Sequence, residues 1–398
     1  MRRHKLEPIE KSSQAQAPSH GALPTEKVSR KDGKAQREEG ESWWVISEKS
    51  RVAFTPEAFG GDMFIAPRLN CFTASRLYVA EANFSMRTLL ALLTLASLAA
   101  TSAQAQTATD FQSLARLFDY DAKQPLDVQD KIIEEFPDGT LHDLTYTSPK
   151  GGPVDAYLVV PKGKGPFAAI LFGHWGNGTR AEFIPEAKIY AKAGAVSLLP
   201  DYPWDRPQPW YRSLDHYDKP DLDRENIIQT VVDLRRGIDL LLARTDVDPE
   251  RLAYIGHSYG AQWGSILTAV DKRMKTTILM AGVAEFGDVY LRTTDPGLTD
   301  FRKTQPAGQL EKYCDVVGQL DAIHFVGHAA PIPLLLQFAN YEQYFDKTSM
   351  QHYVSTASDP KKVLYYDTGH DLNDFQALED RYDWLVDQIH LRREPILR

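Results

Sequence analysis

An apolar run that breaks into a glycine-flanked serine and then into a helical stretch constrains this chain more than any other feature. Arg251-Leu-Ala-Tyr-Ile-Gly-His-Ser-Tyr-Gly260 reads as a strand ending in Gly256-His257-Ser258-Tyr259-Gly260, and Ala261 to Val270 reads as a helix. This is the G-x-S-x-G spacing of a nucleophile elbow in a strand-turn-helix setting. A serine hydroxyl is a poor nucleophile until a base takes its proton. A sharp turn that lifts the hydroxyl out of a sheet exposes it to such a base, and flanking glycines allow the turn and the close backbone approach it needs.

Such a serine requires a histidine and a carboxylate, in the chain order serine, acid, histidine. His370 closes the β-rich run Val363-Leu-Tyr-Tyr-Asp-Thr-Gly-His370 and is the base candidate. His390 falls in an expected C-terminal helix and His352 in a polar helical stretch, so both are set aside. The strand before the histidine is Pro333-Leu-Leu-Leu-Gln-Phe-Ala339, continuously apolar as in a parallel sheet buried on both faces. The acid belongs in the loop that follows, where Glu342 is the first choice and Asp346 the second. Its task is to hold the imidazole in the right tautomer and to stabilise the imidazolium.

With these residues in place, the stretch from about Leu141 to Leu391 resembles an α/β-hydrolase, and most closely the dienelactone hydrolase-like and prolyl-oligopeptidase-like serine esterases. The resemblance implies a mostly parallel central sheet with helices on both faces and an antiparallel N-terminal hairpin. It implies hydrolysis of a small-molecule carboxylic ester through an acyl-enzyme, with no cofactor. It also implies an oxyanion hole of two backbone N–H groups. One is that of Tyr259; the other lies in His174-Trp-Gly-Asn-Gly178 after the strand Phe167 to Gly173, at Trp175 or one residue on at Gly176. Two departures stand out. Trp175 stands where the family has glycine, and Ser258 stands where dienelactone hydrolases proper have cysteine. His174 is expected to shape the loop.

The elements fall in an alternating order that argues for the same architecture. Leu141 to Thr147 and Val154 to Val160 form a hairpin around Ser148-Pro-Lys-Gly-Gly-Pro153. A helix from about Arg180 to Ala193, a strand over 195–199 and a long amphipathic helix over 226–243 follow. Thr276 to Ala281 supplies another strand, and 371–391 the closing helix. Two segments interrupt the alternation. The proline-rich, aromatic loop over 201–217 offers Trp204, Trp210, Tyr211 and Tyr217 as walls of a substrate pocket. The polar stretch from about Val283 to Gln309 is expected to form part of a cap.

Met86 to Ala105 has the three parts of a secretory signal peptide: Arg87, an apolar run over 89–100, and the small residues Ala103 and Ala105. The apolar run is short for a bilayer span. We expect three segments: 1–85, a non-native or disordered upstream extension; 86–105, the signal peptide; and 106–398, one catalytic domain. The expected start is then Met86, and the expected location secreted or periplasmic. The last segment has about 293 residues, enough for one large core, and a net charge of about −12 from about 31 Lys and Arg against 43 Asp and Glu. With no basic run, nucleic acid is not an expected partner. Only Cys314 remains after residue 105, so no disulfide within that segment is possible. The histidines are scattered and no Cys-x-x-Cys occurs, so no metal is expected. The alternatives to an esterase are a prolyl-oligopeptidase-type peptidase and a non-catalytic binding member of the fold.

Overall fold

The computed structural model describes residues 111–395; the extension and signal-peptide expectations lie outside them. Nine strands make one mixed sheet in the order β1-β2-β3-β5-β4-β6-β7-β8-β9. They are β1 Gln129–Phe136, β2 Gly139–Thr147, β3 Pro153–Pro161, β4 Phe167–Gly173, β5 Ala195–Pro200, β6 Val247–His257, β7 Thr276–Met280, β8 Leu334–Ala339 and β9 Lys361–Tyr366. Pairings β1–β2, β2–β3 and β3–β5 are antiparallel; all those from β5 through β4 to β9 are parallel.

The continuous apolar runs of β4, β6 and β8 are explained by cover on both faces. In β4, Phe167, Ala169 and Leu171 enter one core, while Ala168, Ile170 and Phe172 enter the other. The first core lies under the helices α2 Pro220–Ala243, α3 Tyr259–Val270 and α6 Lys347–Thr356. The second lies under α1 Ile184–Ala193 and α7 Phe375–Ile389.

Several boundaries differ from the sequence reading. The hairpin gains a strand, β1, whose side chains are nearly all exposed; without a buried face it carries no apolar period to read. The long helix begins at Pro220, six residues before the expected Asn226, because proline suits the first turn of a helix. The interrupting stretch holds a short π turn, Asp288–Arg292, and the helix α4 Pro296–Thr304, followed by α5 Gln309–Val317. None of the described helices is long and apolar enough to cross a membrane.

The parallel register sets Gly173 at the end of β4 beside Gly256 near the end of β6. The two chains come so close that a Cβ on Gly260 would lie 2.0 Å from the carbonyl oxygen of Gly173. We expect Gly260→Ala to lower the free energy of unfolding by roughly 2–3 kcal/mol, because backbone meets backbone and neither β4 nor α3 can yield alone. Urea denaturation midpoints of the two proteins measure this.

Candidate active site

Ser258 caps α3 with φ 54° and ψ −112°, a conformation that L-residues avoid. Its backbone N–H donates to Met280 O of β7 at 2.8 Å, and its carbonyl accepts from the N–H groups of Ala261 and Gln262. The sheet and the helix thus hold the strained residue from both sides. The Oγ lies 2.9 Å from His370 Nε2, and His370 Nδ1 lies 2.7 Å from Glu342 Oε2. A carboxylate accepts only, so Nδ1 carries the proton and Nε2 is left free to accept from the serine hydroxyl. The other Glu342 oxygen accepts from the N–H groups of Gln343 and Tyr344, both at 3.0 Å, which fixes the carboxylate in a nearly fully buried site. Asp346, the second choice for the acid, caps α6 through the N–H groups of Thr348 and Ser349. His390 lies just past the end of α7, and His352 lies within α6.

The loop after β4 is held by its carbonyls. Tyr202 OH donates to His174 O at 3.0 Å, His174 Nδ1 bonds Trp175 O at 2.7 Å, and Trp204 Nε1 donates to Gly176 O at 2.7 Å. A trans peptide points its N–H opposite to its C=O. The Trp175 N–H is therefore aimed at Glu182, whose Oε2 accepts it at 2.8 Å. This tells against the first choice for the second oxyanion donor: the Trp175 amide is already committed, which leaves the alternative at Gly176 as the candidate. The N–H groups of Gly176 and Tyr259 have no acceptor among the described residues, and both residues line the cavity in front of Ser258.

That cavity measures about 310 Å³ and is walled by Trp175, Tyr217, Tyr259, Tyr290, Tyr344 and Phe345, with Gln262 and Asp215 as polar lining. Of the aromatics expected from the 201–217 loop, only Tyr217 lines it. Trp204 instead tethers Gly176 O, as above. Trp210 lies over the hairpin turn, where a Cβ on Gly152 would lie 2.6 Å from its ring. Tyr211 is exposed and lies outside the cavity lining. The pocket residues that the sequence reading missed come from the elbow helix, the π turn and the segment after Glu342. Tyr259 OH and Tyr290 OH lie 2.9 Å apart, and Tyr290 OH donates to Asp215 at 3.4 Å. No spacing rule links these positions; only the fold does.

Among the described residues, one group could gather around a metal ion, that of His174, Asp201 and Asp205. Arg180 occupies both Asp201 oxygens, through its N–H at 2.7 Å and its Nε at 3.1 Å. That leaves two donors, fewer than the three or four protein ligands of a zinc site. The spacing His324-x-x-x-His328, which the expectation of no metal passed over, is spent otherwise: His328 stacks on Phe111 at 3.8 Å. The Cys314 thiol is pushed up to about 12, first by burial and then by the charge of Asp321, which keeps it an unreactive thiol.

No family model and no curated protein sequence matches this chain. Solved structures do. The acetyl xylan esterase from Paenibacillus sp. R4 superposes with a TM-score of 0.57 at 19% identity, over 70% of this chain and 92% of that one. Acetyl xylan esterase 1 from Thermoanaerobacterium sp. JW/SL YS485 gives 0.58 at 17% identity, over 70% and 93%. The chain has the α/β-hydrolase fold. In an α/β-hydrolase sheet the ligand end is the C-terminal edge of the parallel strands. Here that edge gathers the loop after β4, Ser258 after β6, Glu342 after β8 and His370 after β9.

In the loop after β4, His174 Nε2 faces Asp205 Oδ2 at 3.5 Å, and neither atom has another partner among the described residues. Burial pushes His174 down to about 3. Burial, reinforced by the charge of Asp201, raises Asp205 from 3.8 to about 7. Below about pH 7 the carboxyl therefore keeps its proton and faces a neutral imidazole. With the folded value raised, the folded state binds the extra proton between about pH 4 and pH 7, so this group's contribution is full below the lower value and lost as pH rises through the upper. Asp205→Asn should remove the dependence. Measured from pH 4 to pH 8, the melting temperature of the wild type should decline relative to that of the variant.

Proposed function

We propose that this protein is a serine hydrolase that cleaves a carboxylic ester through an acyl-enzyme. The observation that carries the reading is the continuous hydrogen-bonded line Glu342–His370–Ser258, with distances of 2.7 and 2.9 Å. His370 Nε2 takes the hydroxyl proton as Ser258 Oγ attacks the ester carbonyl. The N–H groups of Tyr259 and Gly176 receive the negative charge that develops on the carbonyl oxygen, an interaction worth several kcal/mol. His370 then gives its proton to the departing alcohol. Water, deprotonated by the same nitrogen, resolves the acyl-enzyme. Glu342 keeps the proton on Nδ1 throughout and balances the imidazolium. The small-molecule substrate class fits a cavity of about 310 Å³ with aromatic walls.

Ser258→Ala should abolish hydrolysis of p-nitrophenyl esters of graded acyl length, from acetyl upward, and should abolish labelling by a fluorophosphonate probe. Glu342→Gln should lower kcat by up to about 10⁴, since a carboxamide permits the wrong tautomer. Asp346→Asn should leave kcat nearly unchanged, because that side chain caps α6. A crippled Asp346→Asn would assign the acid to the other carboxylate. Aminoacyl-nitroanilides cleaved faster than every ester would identify a peptidase, and a folded wild type that the probe fails to label would identify a binding protein.

We also propose that the catalytic segment is exported after removal of residues 86–105. The reading is supported by the charged start, the apolar run and the small residues before Gln106. A chain starting at Met86 should yield an exported protein whose N-terminal sequence begins at Gln106. Retention of Met86 in the exported product would overturn this.

A further inference from the structure

We infer that Glu182 and His257 form a second buried relay that positions both halves of the catalytic machinery from behind. Glu182 stands in the turn before α1, and its two oxygens part ways. Oε2 accepts the Trp175 N–H at 2.8 Å, and Oε1 lies 2.8 Å from His257 Nδ1. His257 precedes Ser258 in the chain, and its Nε2 lies 3.0 Å from the backbone carbonyl of His370. A single carboxylate and a single imidazole therefore join the oxyanion loop, the elbow and the loop that carries the catalytic imidazole.

The protonation of His257 follows from its partners. A carboxylate oxygen and a peptide carbonyl oxygen both accept and neither donates. Only a ring protonated on both nitrogens satisfies both, so His257 stands as an imidazolium against an ionised Glu182. The pair is mostly buried, with side-chain exposures of 5% and 19%. An ion pair in such a place is held by good geometry and full hydrogen bonding, and losing one partner strands the other.

The relay touches no reacting atom. Its effect is on position. With the Trp175 N–H drawn back to Glu182, the next peptide turns, and the Gly176 N–H is left to face the site beside that of Tyr259. With the His370 carbonyl held by His257, the loop behind the imidazole keeps Nε2 at 2.9 Å from the serine. An ångström of misplacement of either part costs roughly 100-fold in rate. Sequence reading passes over the relay because its members lie 75 and 113 residues apart.

The test has two arms, of which only the first rests on the esterase reading. In the first, Glu182→Gln and His257→Gln should each lower kcat on an acetyl ester by roughly 10- to 100-fold. KM should stay within about twofold, and the double variant should be no slower than the worse single, because both break one unit. Losses under about 10-fold, a loss confined to KM, or fold-changes that multiply in the double variant would overturn the relay. In the second arm, ¹⁵N NMR of the wild type at pH 7 should show both His257 ring nitrogens protonated, and Glu182→Gln should abolish that signature. A singly protonated ring in the wild type would overturn the relay, whether or not any variant folds. If the wild type hydrolyses no ester, the esterase reading fails and the NMR arm decides the relay alone.

Discussion

The contact on which the rest of this structure depends carries no side chain. It is the approach of Gly260 at the start of α3 to Gly173 at the end of β4, with Gly256 beside them at the end of β6. A Cβ on Gly256 would lie 2.2 Å from the Gly260 carbonyl, so the strand and the helix that leave Ser258 are folded almost onto each other. The tight return forces the serine to positive φ and pushes its hydroxyl beyond the sheet edge. The approach to Gly173 brings the oxyanion loop alongside. Ser258, Tyr259 and Gly176 are therefore placed by one packing event, and none needs a flexible side chain to reach the others.

What holds that event in place is a set of buried polar contacts on the far side of the sheet. Arg381 of α7 bonds Glu186 of α1 at 2.9 and 3.1 Å and Gln337 of β8 at 3.1 Å. Gln337 passes the connection on to Tyr366 of β9 at 2.8 Å and to Ala377 O at 2.9 Å. The two strands that lead to Glu342 and His370 are thus bolted to the two helices covering that face. Removing one member would strand charged or polar groups in an apolar core, which typically costs about 3–5 kcal/mol. Such a network does little for net stability against an apolar core of the same shape. It does fix which residues lie opposite each other, and the spacing of the acid and the base depends on that.

The parts of the fold legible in the sequence were those that repeat a local rule. The apolar runs of β4, β6 and β8, the period of α2 and the glycine-flanked serine each follow from burial on two faces, burial on one face, or a turn. The contact between Glu342 and His370 was legible because the loop after β8 lies beside the loop after β9 in a parallel sheet. The strand β1 was not, because it lies at an exposed edge and buries no face. The aromatic loop misled for a related reason. Tryptophan in a proline-rich segment marks a loop that is pinned down, but composition does not say to what. Trp204 is pinned to the oxyanion loop and Trp210 to the hairpin turn, whereas the cavity walls come from Tyr259, Tyr290 and Tyr344, which stand in elements of ordinary composition.

The pinning of Trp204 bears on how the peptide planes of the loop after β4 are oriented. In a loop with glycine at the position of Trp175, the chain could turn either amide toward the site. Here three carbonyls in succession are captured, by Tyr202, His174 and Trp204, and the Trp175 N–H is captured by Glu182. With those bonds made, the orientation of each peptide plane is settled before any substrate arrives. The Trp175 side chain is then free to project outward, where it forms part of the cavity rim at 42% exposure. The bulky residue thus does not close off the space in front of Ser258. Its amide is turned to Glu182, the Gly176 amide is left toward the cavity, and its side chain becomes part of the cavity wall. Preorganisation of this kind matters because a donor already aimed at the developing charge needs no reorientation in the transition state.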